Sequence, residues 1–438
     1  MRYASTRSPA VAVGFDEAVL DGFPADGGLY APVGDADLRT LSLSLDAATP
    51  WPDVAALTAS ALFSGDLDPD AAERAAGALR GFPPATIDLD GDVSLVDLCG
   101  GPSYGFKDYG MGFLAALAGD LLSRRGARGS VLLATSGDTG AAAAEAFADS
   151  DRFDVVLLYP RGPVHGVLPE RRRKAGGNVS AIAVDGSLAA CKALVRSAYA
   201  DRPLAARLGL VPATSANVGR LVPQVLYYMA AFAALKARTP GDFILAVPSG
   251  NLGNLISGLY AWKWGLPVSG FVLADSGSAS PDGMLVDYLL GGSAARGERR
   301  FDEDDPENRE RIGALAAGAP EVLRSMVSSV PVSKEKAAAA ARRAHADAGI
   351  FLDPGAAAAY AAVRELVDAE GLSGAVRVAL PGLQHPARSA AAVEAACGAR
   401  PPVPEALGRM LETFEPDFRI RAEPEALAAA LAAIRAGA

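Results

Sequence analysis

The chain has 438 residues and a net charge of −10, and half of its residues are hydrophobic. This length predicts two or three substructures with a large buried core, and the acidity excludes a typical nucleic-acid-binding protein. Three scattered cysteines and three histidines offer no metal-ligand spacing, so we expect no metal and a reduced, cytoplasmic protein. No run reaches eighteen uninterrupted apolar residues and no apolar signal segment follows the first methionine, which predicts no membrane partner.

The first distinctive element is a turn, Gly101–Asp108, which places Lys107 among glycine, proline and aromatic residues. An amine is nucleophilic only when it is unprotonated, and an apolar pocket lowers the pKa of a lysine towards that state. Lysine is also scarce, because only seven of the 41 cationic side chains are lysines. The turn therefore favours a lysine that forms a Schiff base, although a loop lysine with its ammonium in water has the same local sequence.

A glycine loop between a strand and a helix comes next along the chain. Residues 129–134 predict a buried strand, and an alanine-rich helix follows the loop. The loop contains Thr135, Ser136 and Thr139, whose hydroxyls suit a substrate carboxylate or phosphate, whereas helix capping is the alternative role for such side chains. We assign Asp138 of the same loop to cofactor binding.

Other short apolar runs predict strands that alternate with helical segments. They lie at residues 154–158, 181–184, 243–247, 270–274 and 376–380. This pattern is typical of a mostly parallel sheet with helices on both faces. Because ligands bind at the carboxyl ends of the strands in such a sheet, the loops after these strands are the candidate sites.

The second glycine loop follows the strand at 243–247 and opens a helix at about Leu255. Glycine permits close approach of an anion, and a helix N-terminus offers unpaired N–H groups and partial positive charge. The loop therefore predicts a phosphate cradle, with an ordinary strand-to-helix turn as the alternative; the GxGxxG dinucleotide spacing is absent. The candidate cofactor-binding residues are Ser249, Gly250, Asn251, Leu252, Gly253 and Asn254.

Two more loops contain polar residues of interest. Asn217 and Arg220 add an amide and a cation, and an arginine can clamp two anionic oxygens, although an exposed arginine near a helix start is the alternative. Leu383, Gln384 and His385 follow the strand at 376–380, where a structural histidine fits as well as a functional one.

Residues 291–311 are the least regular stretch, and their glycines and dense charges predict an exposed surface loop. Alanine runs at 338–341 and 356–359 have high helix propensity and predict helices. We find no internal repeat or low-complexity linker.

A Schiff-base lysine, a glycine cradle and a hydroxyl-rich loop together predict pyridoxal 5′-phosphate as the cofactor. These motifs, preceded by Ser5–Arg7 and Asp26–Tyr30, follow the order found in the threonine synthase family, which this chain resembles over most of its length. The resemblance implies an α/β fold of type II, similar to the tryptophan synthase β subunit. Such a fold has two parallel-sheet α/β domains and an N-terminal subdomain.

The resemblance also implies site roles and a reaction. Lys107 is then the catalytic lysine that binds the cofactor, residues 250–254 hold its phosphate, and the hydroxyl-rich loop faces the substrate. Asn217 and Arg220 correspond to the family's contacts with the substrate phosphate. The family converts O-phospho-L-homoserine and water to L-threonine and phosphate by γ-elimination and β-addition, without a metal.

Two departures from the family pattern keep other functions open. Leu383 stands where a threonine hydroxyl usually meets the pyridine nitrogen, so Gln384 or a shifted backbone group has to serve, or the nitrogen has no partner. The family's Ser-Met-Asp stretch is also lost near residues 301–305. A related enzyme of specialised metabolism, with a β- or γ-elimination or replacement on another phosphorylated or related amino acid, is one alternative. A non-catalytic protein that binds the cofactor or a phosphometabolite is another, which a functional Lys107 disfavours.

We predict an N-terminal subdomain at residues 1–90 and a small substrate domain at 116–204. The large cofactor-binding domain takes residues 91–115 and 205–438, with a C-terminal helical extension. The expected partner is a small phosphorylated amino acid, and the expected assembly is a monomer or a homodimer.

Overall fold

The computed structural model describes residues 1–162, 177–275, 307–412 and 414–436. The strands are β1 (Arg2–Ser5), β2 (Ala12–Val13), β3 (Tyr30–Val33), β4 (Ala85–Asp88), β5 (Val93–Asp97), β6 (Gly129–Ala134), β7 (Phe153–Pro160), β8 (Val179–Asp185), β9 (Asp242–Pro248), β10 (Gly270–Asp275), β11 (Val327–Pro331), β12 (Val376–Gly382) and β13 (Phe418–Arg421).

The helices are α1 (Phe15–Asp21), α2 (Arg39–Ser44), α3 (Trp51–Phe63), α4 (Pro69–Gly77), α5 (Lys107–Arg124), α6 (Asp138–Phe147), α7 (Leu188–Ala200), α8 (Arg202–Leu208), α9 (Val218–Leu221), α10 (Val225–Leu235), α11 (Gly253–Lys263), α12 (Glu307–Ala316), α13 (Pro320–Met326), α14 (Lys334–Ala348), α15 (Pro354–Ala369), α16 (Ala390–Cys397), α17 (Glu405–Met410) and α18 (Pro424–Ala436). Short 3₁₀ turns lie at Val222–Gln224, Lys236–Arg238 and Pro386–Ser389.

Three sheets organise these elements. A small antiparallel sheet has the order β2-β1-β3, a six-stranded sheet has the order β11-β10-β9-β12-β5-β4, and a four-stranded sheet has the order β13-β8-β7-β6. In the six-stranded sheet β4 runs antiparallel to β5, and the other pairings in the two larger sheets are parallel. The predicted α/β fold with two parallel sheets and an N-terminal region is confirmed.

The apolar runs predicted as strands form β6, β7, β8, β9, β10 and β12. These strands are almost continuously buried, as β7 illustrates with seven buried residues in eight. Burial on both faces explains their apolar character, because helices cover each side of a parallel sheet. The alanine runs lie within α14 and α15, as predicted.

The C-terminal segment departs from the predicted domain assignment. The sequence placed residues 205–438 in the large domain, but β13 pairs with β8 of the four-stranded sheet, with Ile420 opposite Val184. Leu427 and Leu431 of α18 pack in the core of that sheet, against residues such as Ile182. The four-stranded sheet is therefore completed by a segment far along the chain.

The longest apolar helical stretch is a core element. Residues Val218–Arg238 are long and apolar enough to cross a membrane, but 89% of the most apolar window is buried inside the protein. Tyr227, Tyr228 and Leu235 of this stretch belong to the largest hydrophobic core.

Four loops follow the carboxyl ends of strands, and their positions define the candidate site. The lysine turn follows β5, the hydroxyl-rich loop follows β6, the second glycine loop follows β9, and Leu383 follows β12. Since parallel strands end at the same edge of a sheet, the loops after β5, β9 and β12 lie side by side.

Replacing Leu427 with alanine tests the C-terminal anchor. Leu427 is 1% exposed, so its truncation should lower the free energy of unfolding by about 2–5 kcal/mol through lost burial and a cavity. Urea unfolding measures the change. Leu43→Ala is the matched control because Leu43 is 57% exposed, and it should change stability by less than about 0.5 kcal/mol. Equal effects of the two substitutions would contradict the packing of α18.

Candidate active site

The lysine turn is fastened to the end of β12. The backbone N–H of Phe106 donates to the carbonyl of Leu383 at 3.0 Å, and the N–H of His385 donates to the carbonyl of Tyr104 at 2.9 Å. These two bonds form an antiparallel bridge, and they fix the point at which α5 begins. Lys107 is the first residue of that helix.

The ammonium of Lys107 lies in a largely enclosed position. Its side chain is 21% exposed, and Nζ lies 3.4 Å from Oδ2 of Asp138 and 5.8 Å from the centre of the Phe106 ring. Burial lowers the pKa of Lys107; Asp138 raises it, and the cations Arg220 and Arg388 lower it further, with a net downward shift. This environment favours the unprotonated amine that nucleophilic chemistry requires.

The three hydroxyl residues in the loop after β6 have different surroundings. The hydroxyl of Thr135 is buried and accepts the N–H groups of Gly137 at 3.1 Å and Gly140 at 2.9 Å. Thr135 therefore organises the loop, in correction of its predicted contact with substrate. Ser136 is exposed, and Thr139 lines the neighbouring cleft.

The second glycine loop has the backbone of an anion cradle. Gly250 and Leu252 adopt positive φ angles of 36° and 61°, and the side chain of Asn251 accepts the N–H of Gly253 at 3.0 Å. Helix α11 begins at Gly253, and the first N–H groups of a helix lack partners within it. The loop therefore presents N–H donors and the positive end of a helix dipole together.

Two of the predicted cradle residues are turned inwards. The side-chain amide of Asn254 donates to the hydroxyl of Tyr227 at 2.9 Å, so Asn254 can offer an anion only its backbone N–H. Ser249 is buried, and its N–H donates to the carbonyl of Ala274 at 2.9 Å. These contacts hold the loop to its neighbours in the fold.

A cleft of about 650 Å³ joins the loops. Four residues assigned from the sequence, Thr139, Arg220, Gly250 and Asn251, line the same space. Arg220 is only 4% exposed, so its charge lies at the base of the cleft. Further polar lining comes from Lys192, Arg196, Arg202, Thr214, Ser215 and Asn308.

Asn217 does not share this role. Its amide nitrogen donates to the carbonyls of Val19 at 2.9 Å and Pro212 at 2.8 Å, and its oxygen accepts the N–H of Gly219 at 2.8 Å. Both amide hydrogens are used inside the protein. Asn217 therefore caps α9 and supports Arg220, in correction of the prediction that it contacts the substrate phosphate.

Two residues of α12 brace the cleft and were missed by the sequence. Asn308 donates to the hydroxyl of Ser215 at 3.1 Å and to the carbonyl of Asn251 at 2.8 Å. Arg311 is fully buried and donates to the carbonyl of Ser215 at 2.6 Å. The sequence predicted an exposed loop at residues 291–311. Residues 291–306 lie outside the described part of the chain, whereas Asn308 and Arg311, near the end of the stretch, are buried.

The residues after β12 face elsewhere. Gln384 and His385 line a second cavity of about 250 Å³, which also touches Asp353. Nδ1 of His385 accepts the N–H of Ala387 at 3.2 Å, and burial lowers the pKa of this histidine. The backbone N–H of Leu383 donates to Asp353 at 3.1 Å. His385 thus has a structural place, at the start of a 3₁₀ turn.

Arg388 completes the site and carried no signal in the sequence except its nearness to a strand end. Its side chain is 5% exposed, and one nitrogen lies 3.3 Å from Oδ1 of Asp138. Another nitrogen donates to the carbonyl of Ser103, in the lysine turn, at 2.6 Å. Asp138 is therefore held between two cations, Lys107 and Arg388.

Comparison with known proteins places this chain in a family. The sequence model described as "Pyridoxal-phosphate dependent enzyme" matches residues 85–382, and the one described as "Threonine synthase N terminus" matches residues 2–74. Threonine synthase from Escherichia coli strain K12 is 32% identical over 404 residues, which cover 90% of this chain and 91% of that protein. The chain belongs to the threonine synthase family.

Other threonine synthases agree with this placement. The enzyme from Serratia marcescens is 31% identical over 402 residues, covering 91% of this chain and 92% of that one. The crystal structure of the Escherichia coli threonine synthase superposes with a TM-score of 0.82 at 28% identity and covers 99% of this chain and 100% of that one. A pyridoxal-phosphate-bound threonine synthase from Brucella melitensis gives 0.81 at 26% identity, with 100% and 99% covered.

The residues present fit the cofactor of this family. Lys107 supplies a primary amine of lowered pKa, and the loop at 249–254 supplies N–H donors for a phosphate. Gly250 has φ of 36°, and no atom lies within 4 Å of the position that a Cβ would take there, so the cradle is open on the cleft side. An amine for covalent attachment and a cradle for the phosphate are two of the features by which a protein holds pyridoxal phosphate.

Gly110 controls the approach of α5 to Arg220. A Cβ at this position would lie 2.2 Å from the carbonyl oxygen of Arg220, so Gly110→Ala should lower the free energy of unfolding by about 1–3 kcal/mol and displace the guanidinium. Gly119→Ala, on the same helix with nothing within 4 Å, is the control and should stabilise by about 0.5–1 kcal/mol. Thermal unfolding distinguishes the two, and destabilisation by both variants would contradict a local clash.

The pH dependence of stability tests the burial of Asp108. Burial raises the pKa of Asp108 to about 6, while an unfolded chain has a value of about 3.9. As pH rises from 4 to 6, the unfolded chain loses this proton first, so the group's contribution to stability falls.

Urea unfolding of the wild type and Asp108→Asn at pH 5 and pH 7 measures the effect. The stability of the wild type should fall between these pH values by about 1–2 kcal/mol more than that of the variant. The buried Asp353, whose pKa is also raised to about 6, affects both proteins equally. Parallel pH curves would rule out the raised pKa of Asp108.

Proposed function

We propose that the protein is a pyridoxal-phosphate-dependent lyase that converts O-phospho-L-homoserine and water to L-threonine and phosphate. The observation that carries this proposal is the match to threonine synthases over nine-tenths of the chain. The cleft supports it, because the buried cation Arg220 and two residues of the N–H-rich loop, Gly250 and Asn251, line one space of suitable size for a cofactor and an amino acid.

In this proposal, Lys107 and the loop at 249–254 would hold the cofactor. Bound pyridoxal phosphate supplies an electron sink for carbanions at the α-carbon of an amino acid. Lys107 holds it covalently, and the N–H groups at the start of α11 bind its phosphate. Asp138 restrains the lysine side chain through the 3.4 Å contact.

Lys107 also moves protons. With its amine free, Nζ could take protons from the α- and β-carbons of the substrate and return protons to the γ- and α-carbons. Phosphate would leave from the γ-carbon, and water would add at the β-carbon. Its enclosed position and lowered pKa suit this exchange near neutral pH. Family membership also disfavours a non-catalytic binding protein.

Arg220 binds the phosphate of the substrate. Its guanidinium is desolvated at 4% exposure, and a desolvated cation interacts more strongly with an anion than an exposed one. Ser215 and Asn308, fixed to each other at 3.1 Å, add polar groups to the same wall. This wall can stabilise the charge on phosphate as it departs.

The setting of the enzyme is a further part of the proposal. We place it in the cytoplasm as a monomer or a homodimer, acting on a small molecule without nucleic acid or membrane. The three cysteines, Cys99, Cys191 and Cys397, are free, which is typical of a reducing compartment. The boundaries at residues 90 and 115 remain proposed domain limits, with 418–436 joined to the small domain.

Product analysis tests the reaction. Incubation with O-phospho-L-homoserine should release phosphate and L-threonine in equal amounts. Lys107→Ala should lower the rate by at least about 10³-fold, because covalent attachment and proton transfer are both lost. Lys263→Ala is the control, since Lys263 pairs with Asp35 at 3.7 Å on the surface, and its rate should stay within about twofold of the wild type.

The outcomes separate the alternatives. Firm cofactor binding without threonine formation would favour the related enzyme with a different amino-acid substrate. Leu383, which replaces the family's threonine, is the sequence departure that keeps this alternative open. An active Lys107→Ala variant would contradict the assignment of the lysine.

A further inference from the structure

Arg388 lies outside the motifs that carry the family resemblance, yet it contacts three parts of the site. Its guanidinium pairs with Asp138 of α6 at 3.3 Å and donates to the carbonyl of Ser103 at 2.6 Å. It also reaches the sulfur of Met410 in α17 at 3.2 Å. A side chain so enclosed, with both terminal nitrogens in contact with neighbouring groups, has little rotational freedom, so the position of its charge is fixed.

The arrangement is a row of three charges. Lys107 contacts one carboxylate oxygen of Asp138 and Arg388 contacts the other. When Lys107 is protonated, the row carries one net positive charge. When Lys107 loses its proton, Asp138 and Arg388 still form a neutral pair.

This second state would be costly without the arginine. The side chain of Asp138 is 35% exposed, and a partly buried carboxylate favours a charged neighbour of opposite sign. Without Arg388, Asp138 would therefore hold the proton on Lys107 more firmly, because Lys107 would be its only close cation. A nucleophilic lysine has to lose that proton. The guanidinium remains charged at any working pH, and it can therefore serve as a permanent partner while Lys107 changes state.

We propose that Arg388 is a positioning residue that fixes Asp138 and balances its charge, so that Lys107 can give up its proton without leaving the carboxylate of Asp138 unpaired. The inference rests on Lys107 as the cofactor-binding lysine. It explains why the pKa of Lys107 is lowered although the carboxylate of Asp138 lies beside it.

Other charged groups face the row and are unchanged by the test. Arg220 also lowers the pKa of Lys107. Burial raises the pKa of Asp108 and lowers that of His385, and the charge of Arg388 adds a smaller downward effect on each. Arg220, Asp108 and His385 are kept in every variant below. Differences in cofactor capture between the variants therefore report on residue 388.

The experiment measures how fast the full-length protein, freed of cofactor, captures pyridoxal phosphate at different pH values. Borohydride reduction traps the captured cofactor, and mass spectrometry of the Lys107 peptide quantifies it. In Arg388→Met the pH midpoint of the capture rate should rise by about one unit relative to the wild type. At pH values below the midpoint, a rise of one unit makes capture by Arg388→Met about tenfold slower than capture by the wild type.

Two further variants separate charge from packing. Arg388→Lys keeps the positive charge, and its midpoint should stay within about 0.3 units of the wild type. Arg388→Gln removes the charge but keeps polar atoms, and it replaces the methionine variant if that protein does not fold. Its midpoint should rise as well.

Arg364→Met is the matched control. Arg364 is 16% exposed and pairs with Asp90 and Asp92, which precede β5, whereas Lys107 follows the other end of that strand. Arg364→Met breaks a similar cluster of charged side chains and should leave the pH midpoint of the capture rate unchanged.

An unchanged midpoint in the neutral variants, or an equal rise in Arg388→Lys, would overturn the inference. A wild type that captures no cofactor on Lys107 would instead contradict the proposed function. The two failures are therefore distinguishable, and neither readout depends on threonine formation.

Discussion

Two backbone hydrogen bonds between the turn at 104–106 and the residues after β12 hold the site together. They join the end of a central strand to the start of α5, so the position of Lys107 is set by the sheet and not by its own flexible side chain. Asp353 fastens the same strand end from the other side through Leu383. A reactive amine placed in this way needs little reorganisation when a ligand arrives.

Charge is distributed unevenly across the molecule. The chain as a whole carries −10, yet the cleft collects Arg220, Lys192, Arg196 and Arg202 along its walls. Cations on the lining of a cleft attract a phosphorylated substrate and bind it once it has entered. The acidity of the rest of the chain favours solubility.

The sequence predicted the strands and the glycine loops well, because continuous apolar runs have few alternative structures. It could not assign side chains such as Thr135 and Asn217, since a hydroxyl or amide beside a helix start serves as well for capping as for binding. The roles of Asn308 and Arg311 could not be predicted because a dense polar run is usually solvated. Only the fold shows that these two residues are buried. Strand β13, with two arginines in four residues, lacks the apolar pattern of a strand.

The pairing of β13 with β8 also bears on how the protein is made. Roughly 230 residues separate these two strands, so on the ribosome the outer edge of β8 has no neighbour until that whole stretch has been synthesised. An open strand edge is prone to join other chains. The small domain therefore passes through a period of exposure during translation, and its folding is finished by a segment that emerges long after its first three strands.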